Sequence, residues 1–269
     1  MDKEIILSKY KKHEDKLLIS KFLDKIELTA KTSKINTTDF YNESELAILK
    51  NIISLLKIEN CIFYGGFDNC ERKLIIIYPE KMKDLLFNGN FKFDTIISVF
   101  RIIVPKENKS FFSHSTYLGG LIKLGIKREK IGDIIVFDDG ADIIVKKEID
   151  KFLYTNLSTL TRFGNSEINA IKVDDIMYVE KKFKEFKIIT SSLRLDNIVA
   201  ELAKTSRNKA TEILDQERVF VNYECECKNT KLVCEGDVIT IRGKGKFIIS
   251  EVAGNTKKGN FVVVVMQYN

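Results

Sequence analysis

The sequence predicts an α+β protein built from three successive units. These are an N-terminal helical/α+β segment over 1–88, a central ferredoxin/RRM-like βαββαβ domain over 89–180, and a C-terminal unit of two helices and a small β-sheet over 189–269. Three observations carry this. Apolar residues recur at helical spacing near the front and give way to short apolar runs. A strand–helix–strand–strand–helix–strand rhythm fills the middle. Two short amphipathic stretches then lead into alternating, β-branched segments at the end.

In the front segment, Leu17, Leu18, Phe22, Leu23 and Ile26 mark one helix, and Leu46, Leu49, Ile52, Ile53 and Leu56 mark a second. Strands follow at 61–64 and 73–78, the latter stopped by Pro79. Between them Gly65-Gly66 serves a backbone bend rather than ligand contact. The middle segment opens with a strand over 93–104 that ends at Pro105. A helix carrying Tyr117, Leu118, Leu121, Ile122 and Leu124 stops at Gly125. Next come a strand at 133–137, a turn at Asp138-Asp139-Gly140, a strand at 141–145, a helix over 147–156, and strands around Leu160 and 168–173. This βαββαβ order is the split ferredoxin-like plan that many RNA-binding modules share. The plan does not by itself bring the function with it, and the aromatic strand signature used to stack bases is missing. Lys181–Lys187, alternating Lys, Phe and Glu, reads as an exposed connecting strand.

Composition bounds the function. Of 269 residues, 44% are hydrophobic and 30% charged, which fits a folded soluble chain and excludes a disordered one. The start Met1-Asp2-Lys3-Glu4 lacks a signal-peptide pattern, and no apolar run is long enough to span a bilayer, so a cytoplasmic protein without membrane attachment is expected. Five irregularly spaced cysteines point to reduced thiols. Net charge is +6, a mild excess that is compatible with a nucleic-acid partner. Four of the eight arginines lie beyond residue 190.

The C-terminal unit concentrates the candidate binding residues. Leu195, Ile198, Val199, Leu202 and Ala203 form one apolar helix face, leaving Arg194 and Lys204 toward solvent. Ser206 is an N-cap, which places Arg207 and Lys209 in the first turn of a second helix. Cations there oppose the helix dipole, an arrangement that points to an anion supplied from outside, such as a phosphate. Both side chains are expected to be exposed, so that removing them costs the fold little. On the following strand Val219 and Val221 face inward, while Arg218, Phe220 and Asn222 share the outer face. A cation, a ring and an amide can hold phosphate, base and sugar. Arg242, Lys244 and Lys246 add a basic hairpin with Gly243 and Gly245.

Other chemistry has weaker support. Cys225, Cys227 and Cys234 have the wrong spacing for a zinc knuckle, and no Walker or dinucleotide-binding pattern is present, so no metal or cofactor is expected. His114 between two serines lacks a nucleophile-elbow context and reads as a capping or hydrogen-bonded histidine.

Several of these residues form a pattern. Arg194-Leu195-Asp196, Ser206-Arg207, Ala210, Val219, Val221-Asn222 and Gly236-Asp237 resemble the S-four RNA-binding domain. Phe63-Tyr64-Gly65-Gly66, Glu71-Arg72-Lys73, Tyr117-Leu118-Gly119 and the run 124–134 extend the resemblance to the YlmH family of bacterial RNA-binding proteins, covering most of the chain beyond about residue 40. The resemblance implies a non-enzymatic protein that docks on structured rRNA and tRNA. It further implies the large ribosomal subunit with peptidyl-tRNA as partner, rescue of stalled translation as role, and a possible protein partner for the front domains. Ser115-Thr116, Glu217 and Tyr223 depart from the family pattern, the last two at positions where glycine is common. A left-handed Glu217 would cost on the order of 1 kcal/mol. Two other classes stay open. Arg194-Leu195-Asp196 also resembles the catalytic motif of pseudouridine synthases, although Asn197-Ile198-Val199 continues a helix where those enzymes have Thr and Gly. A cell-division-linked adaptor would need no RNA contact.

Overall fold

Leu74–Ile77, four consecutive apolar residues with no polar partner face, can form a strand only if both its sides are covered. A computed structural model describes residues 3–88, 91–105, 112–177 and 183–268. It shows mixed α+β structure with three antiparallel sheets, divided into two units, residues 1–179 and 180–269. The boundary positions 89 and 180 read from the sequence lie outside the described residues.

Unit one begins with helices α1 (Lys3–Ser8) and α2 (His13–Thr32), strand β1 (Asn36–Thr37) and helix α3 (Glu43–Leu55). Asn42 caps α3 through a reciprocal capping box with Glu45, at 3.0 and 2.7 Å. Strands β2 (Cys61–Tyr64) and β3 (Leu74–Ile77) follow, and β3 is the centre of the three-stranded sheet β1-β3-β2. Ile75 and Ile77 meet Phe22, Leu49 and Ile52 from α2 and α3. Leu74 and Ile76 point the other way, into a second cluster with Phe40, Ile97, Val99 and Ile144.

That second cluster joins the first sheet to the central one. After helix α4 (Lys83–Phe87) come β4 (Ile97–Ile103), α5 (His114–Lys123), β5 (Ile131–Phe137), β6 (Gly140–Lys146), α6 (Asp150–Asn156) and β7 (Glu167–Ile171). The sheet order β5-β6-β4-β7, antiparallel throughout, is the split βαβ arrangement. Alternation splits β4 between two cores: Phe100 and Ile102 face Tyr117, Leu121 and Leu153 of the helices, while Ile97 and Val99 face the three-stranded sheet. Both faces of the central sheet are thus covered.

Charged groups complete the covered face. Asp142, fully buried, accepts a forked pair from its cross-strand partner Arg101 at 2.7 and 2.8 Å, and a further hydrogen bond from the Met177 amide. Lys146 donates to Thr37 Oγ1 and the Thr38 carbonyl, and burial pushes its pKa down to about 8. The Glu71 and Arg72 amides donate to Asp133, and the Arg72 guanidinium to the carbonyls of Phe40 and Ile131. The motif pieces Glu71-Arg72 and 127–134 are therefore a clasp between the two sheets.

The strand anticipated over 93–104 opens instead with a 3₁₀ turn, Phe93–Thr95, and two further elements differ from the sequence reading. No strand forms at Leu160. Leu157, Leu160 and Phe163 recur every third residue; two 3₁₀ turns, Leu157–Thr159 and Thr161–Phe163, joined through Leu160, place all three in one core. The other is β8 (Phe183–Thr190), which is no connector. It pairs along its whole length with the last strand and belongs to unit two; the start of the anticipated segment, 181–182, lies outside the described residues.

Unit two continues with α7 (Leu195–Ala203), α8 (Arg207–Asp215), β9 (Val219–Val221), β10 (Glu224–Cys225), β11 (Val238–Ile241), β12 (Gly245–Asn255) and β13 (Phe261–Tyr268). Its sheet runs β10-β9-β11-β12-β13-β8. Ile198, Val199 and Leu214 of the helices pack with Val219, Val221, Ile239, Phe247 and Val265, all from one sheet face. No helix among the described residues is long and apolar enough to cross a membrane.

Gly140 gives a direct test of the central sheet. A Cβ there would stand 2.0 Å from the Ile102 carbonyl oxygen, on the strand that β6 must pair with. Gly140→Ala is expected to destabilise the protein by about 2–3 kcal/mol, read from the urea midpoint of unfolding.

Candidate nucleic-acid interface

The sharp corner between α7 and α8 is built around a buried acid. Arg194, at the N-cap of α7, donates Nε and Nη2 to Asp196 at 3.2 and 3.0 Å. Arg207, first residue of α8, donates Nε and Nη2 to Asp196 Oδ2 at 2.9 and 2.7 Å. Asp196 is only 2% exposed. Burial alone would raise its pKa, but hydrogen bonds from both guanidiniums outweigh it and hold the carboxylate below its ordinary range.

This corrects the sequence reading of Arg207. The anion facing the start of α8 comes from within the chain, so Arg207 locks the two helices together while its side chain remains 54% exposed. Arg194 is likewise engaged. Asp196 is a clamped structural acid. Ser206 spends its hydroxyl on the Lys209 amide at 3.4 Å, as an N-cap. Asn222 is also committed internally: its Nδ2 donates to Asp237 and its Oδ1 accepts from the Val238 amide, at 2.8 and 3.0 Å. Its amide holds a turn, not an open binding edge.

The remaining candidates are solvent-facing. Lys204 and Lys209 are exposed at the end of α7 and the start of α8, and Lys204 adopts φ 53°, where glycine is favoured. Arg218, Arg242 and Lys244 are exposed around the β11–β12 hairpin. Arg218 Nη2 donates to the Arg242 carbonyl at 2.9 Å, and Arg242 lies 4.8 Å over the Phe220 ring. Lys246 is half-buried between two rings, 4.8 Å from Tyr223 and 4.6 Å from Tyr268. The structure therefore gathers the predicted residues into a helix-corner group and a hairpin group. It adds Tyr223, Tyr268 and Phe183, which the sequence reading did not select. Their only sequence signal was the tyrosine in a glycine-type turn and the alternating Lys-Phe-Glu run. Glu217 does take the left-handed conformation, at φ 56°.

A family model described as "Putative RNA-binding domain in YlmH" matches residues 92–186, from just before β4 into β8. Over 254 residues the chain is 27% identical to "Ribosome-associated protein quality control protein P2" of Bacillus subtilis (strain 168), covering 93% of this chain and 94% of that protein. The chain is thus similar to a YlmH-type relative along nearly its whole length. The solved "Cell division protein ylmH from Streptococcus pneumoniae" is 21% identical, with a TM-score of 0.49, over 62% of this chain and 98% of that one. In this chain the matched central sheet is covered on both faces, so base stacking on the buried positions of β4 and β6 is sterically closed. The exposed cations described above lie outside the matched residues.

The Asp196 clamp has a pH signature. Its folded pKa is depressed, so its contribution is present at neutral pH and is lost as pH falls from the ordinary carboxylate range, around 4, through the lower folded value. Asp196→Asn is expected to cost about 1–2 kcal/mol at pH 7, with the gap to wild type narrowing at acid pH. Arg207→Ala should cost about 1 kcal/mol or less, given its exposure. Thermal melts of both variants across pH 3–7 check this.

Proposed function

We propose that this protein is a non-enzymatic binder of structured RNA that docks on the large ribosomal subunit carrying peptidyl-tRNA, in the rescue of stalled translation. The observation that carries the reading is the exposed cation set of unit two. Lys204 and Lys209 stand on the helix corner that Asp196 clamps, and Arg218, Arg242 and Lys244 stand around the β11–β12 hairpin. Basic groups fixed by folded elements fit the regular phosphates of helical RNA without reading sequence. The family-model match and the ribosome-associated relative of nearly equal length support an RNA and ribosome partner. The resemblance to YlmH proteins supports the large subunit with peptidyl-tRNA as partner, and residues 194–237, similar to the S-four domain, would supply the rRNA and tRNA backbone contacts. The absence of catalysis is consistent with Asp196 being clamped by two guanidiniums: a carboxylate so engaged has no lone pair directed at a substrate. Unit one then positions unit two or meets a protein partner.

Co-sedimentation with ribosomes at graded salt tests this reading. If about three phosphates are contacted at once, affinity should fall log-linearly with salt, with a slope of about −2 to −3. Lys209→Ala combined with Lys244→Ala should flatten the slope by about one to two units and leave the melting temperature within a degree or two, because both side chains are exposed. A slope near zero for the wild type would instead favour an adaptor that contacts protein.

A further inference from the structure

The outer face of the unit-two sheet carries a row that the helix-corner and hairpin cations do not explain. Strand registry aligns Phe183 with Tyr268 and Lys246 with Thr240, which in turn faces Phe220. These residues come from β8, β13, β12, β11 and β9, so the row spans four strand spacings, about 19 Å. None of them is buried, and the Phe183 ring is 42% exposed. The opposite face of the same strands is the apolar core, so the alternation that fills that core also presents this row.

Rings and cations meet along it and at its border. Phe183 meets Tyr268 edge-on at 4.9 Å, Lys246 lies between Tyr268 and Tyr223, and Arg242 covers Phe220. The row holds no acid; the next outward residue of β8, Glu185, stands one row away, opposite Met266. Tyr223 is present at a cost. With Asn222 it forms a two-residue hairpin turn, both at positive φ (50° and 71°), a geometry that favours glycine at the second position. A bulky aromatic there is disfavoured by the backbone, and what it adds is a ring beside Lys246.

We propose that this row is a stacking platform for unpaired RNA bases, distinct from the phosphate contacts of the helix corner. Rings offer sequence-tolerant faces to bases, and interleaved cations offer partners to the intervening phosphates. The proposal rests on the RNA-binding reading above and names the part of the RNA, single-stranded nucleotides, that this face takes. A protein partner would favour acids mixed among the cations, which the row lacks.

The test uses the full chain and three labelled probes: a ten-nucleotide oligouridylate, a ten-residue abasic ribose-phosphate strand, and a blunt RNA duplex. Wild type is expected to bind oligouridylate at least tenfold more tightly than the abasic strand. Tyr223→Gly and Tyr268→Leu should each weaken oligouridylate binding about tenfold while leaving the abasic strand and duplex unaffected. Tyr223→Gly should melt no lower than wild type, which separates lost stacking from lost folding. Because the chain has no tryptophan, Tyr268→Trp supplies a single reporter whose emission oligouridylate should quench and the abasic strand should not. Equal wild-type affinity for the two single strands, or unchanged oligouridylate binding by Tyr268→Leu, overturns the platform and points to a protein contact on this face. Retained duplex binding in that case leaves the general RNA reading intact; loss of binding to all three probes overturns both.

Discussion

A strand with apolar side chains on both faces must be covered twice, and this constraint organises unit one. β3, reading Leu-Ile-Ile-Ile, supplies Ile75 and Ile77 to the helices and Leu74 and Ile76 to the central sheet. β4 repeats the arrangement, with Phe100 and Ile102 on one side and Ile97 and Val99 on the other. Two sheets and two helical layers therefore stack in sequence. The face on which a ferredoxin-like sheet could otherwise bind RNA is consumed by packing. Buried Asp142 and Lys146 sit on that covered face and find Arg101, Thr37 and the Thr38 carbonyl there, because an unpaired charge at such depth would be strongly destabilising.

Unit two obeys the opposite arithmetic. Its strands are apolar on one face only, so α7 and α8 suffice to close the core and the other face keeps its rings and cations in contact with water. Polar character is sorted by depth. Asp196 uses two of the four arginines of this unit to hold the helix corner, and Asn222 with Asp237 holds a turn. What is left outward is mostly lysine plus Arg218 and Arg242, side chains that can reach a phosphate without unlocking anything internal.

Among the described residues, non-glycine residues at positive φ occur in both units: Ser33, Lys57 and Asn69 in unit one, and four in unit two. Lys204, Glu217, Asn222 and Tyr223 all hold positive φ without being glycine. These positions join helix to helix, helix to strand and strand to strand, where tight connections set the geometry regardless of residue type. At Lys204 and Tyr223 the residue that tolerates this adds a cation or a ring to the outer surface.

By itself the sequence determined the element types, because periodicity reports which side of a helix or strand meets the core: the front helices, the βαββαβ order and the Ser206 cap follow from local spacing alone. It also carried the family resemblance, through motif runs whose residues prove to be the clasp of Glu71-Arg72 on Asp133 and the corner around Asp196. Tertiary structure decided everything that depends on a partner distant in sequence. Arg207 reads as a free cation until the fold brings it to Asp196, and Asn222 reads as an open amide until Asp237 arrives. Lys181–Lys187 reads as a linker until β13 pairs with its described part. Leu157, Leu160 and Phe163 at threefold spacing can be mistaken for a strand until the core shows which way they point. Phe183, Tyr268 and Tyr223 come together only through strand registry, since side chains forty or more residues apart share this surface only because hydrogen-bonded strands align them.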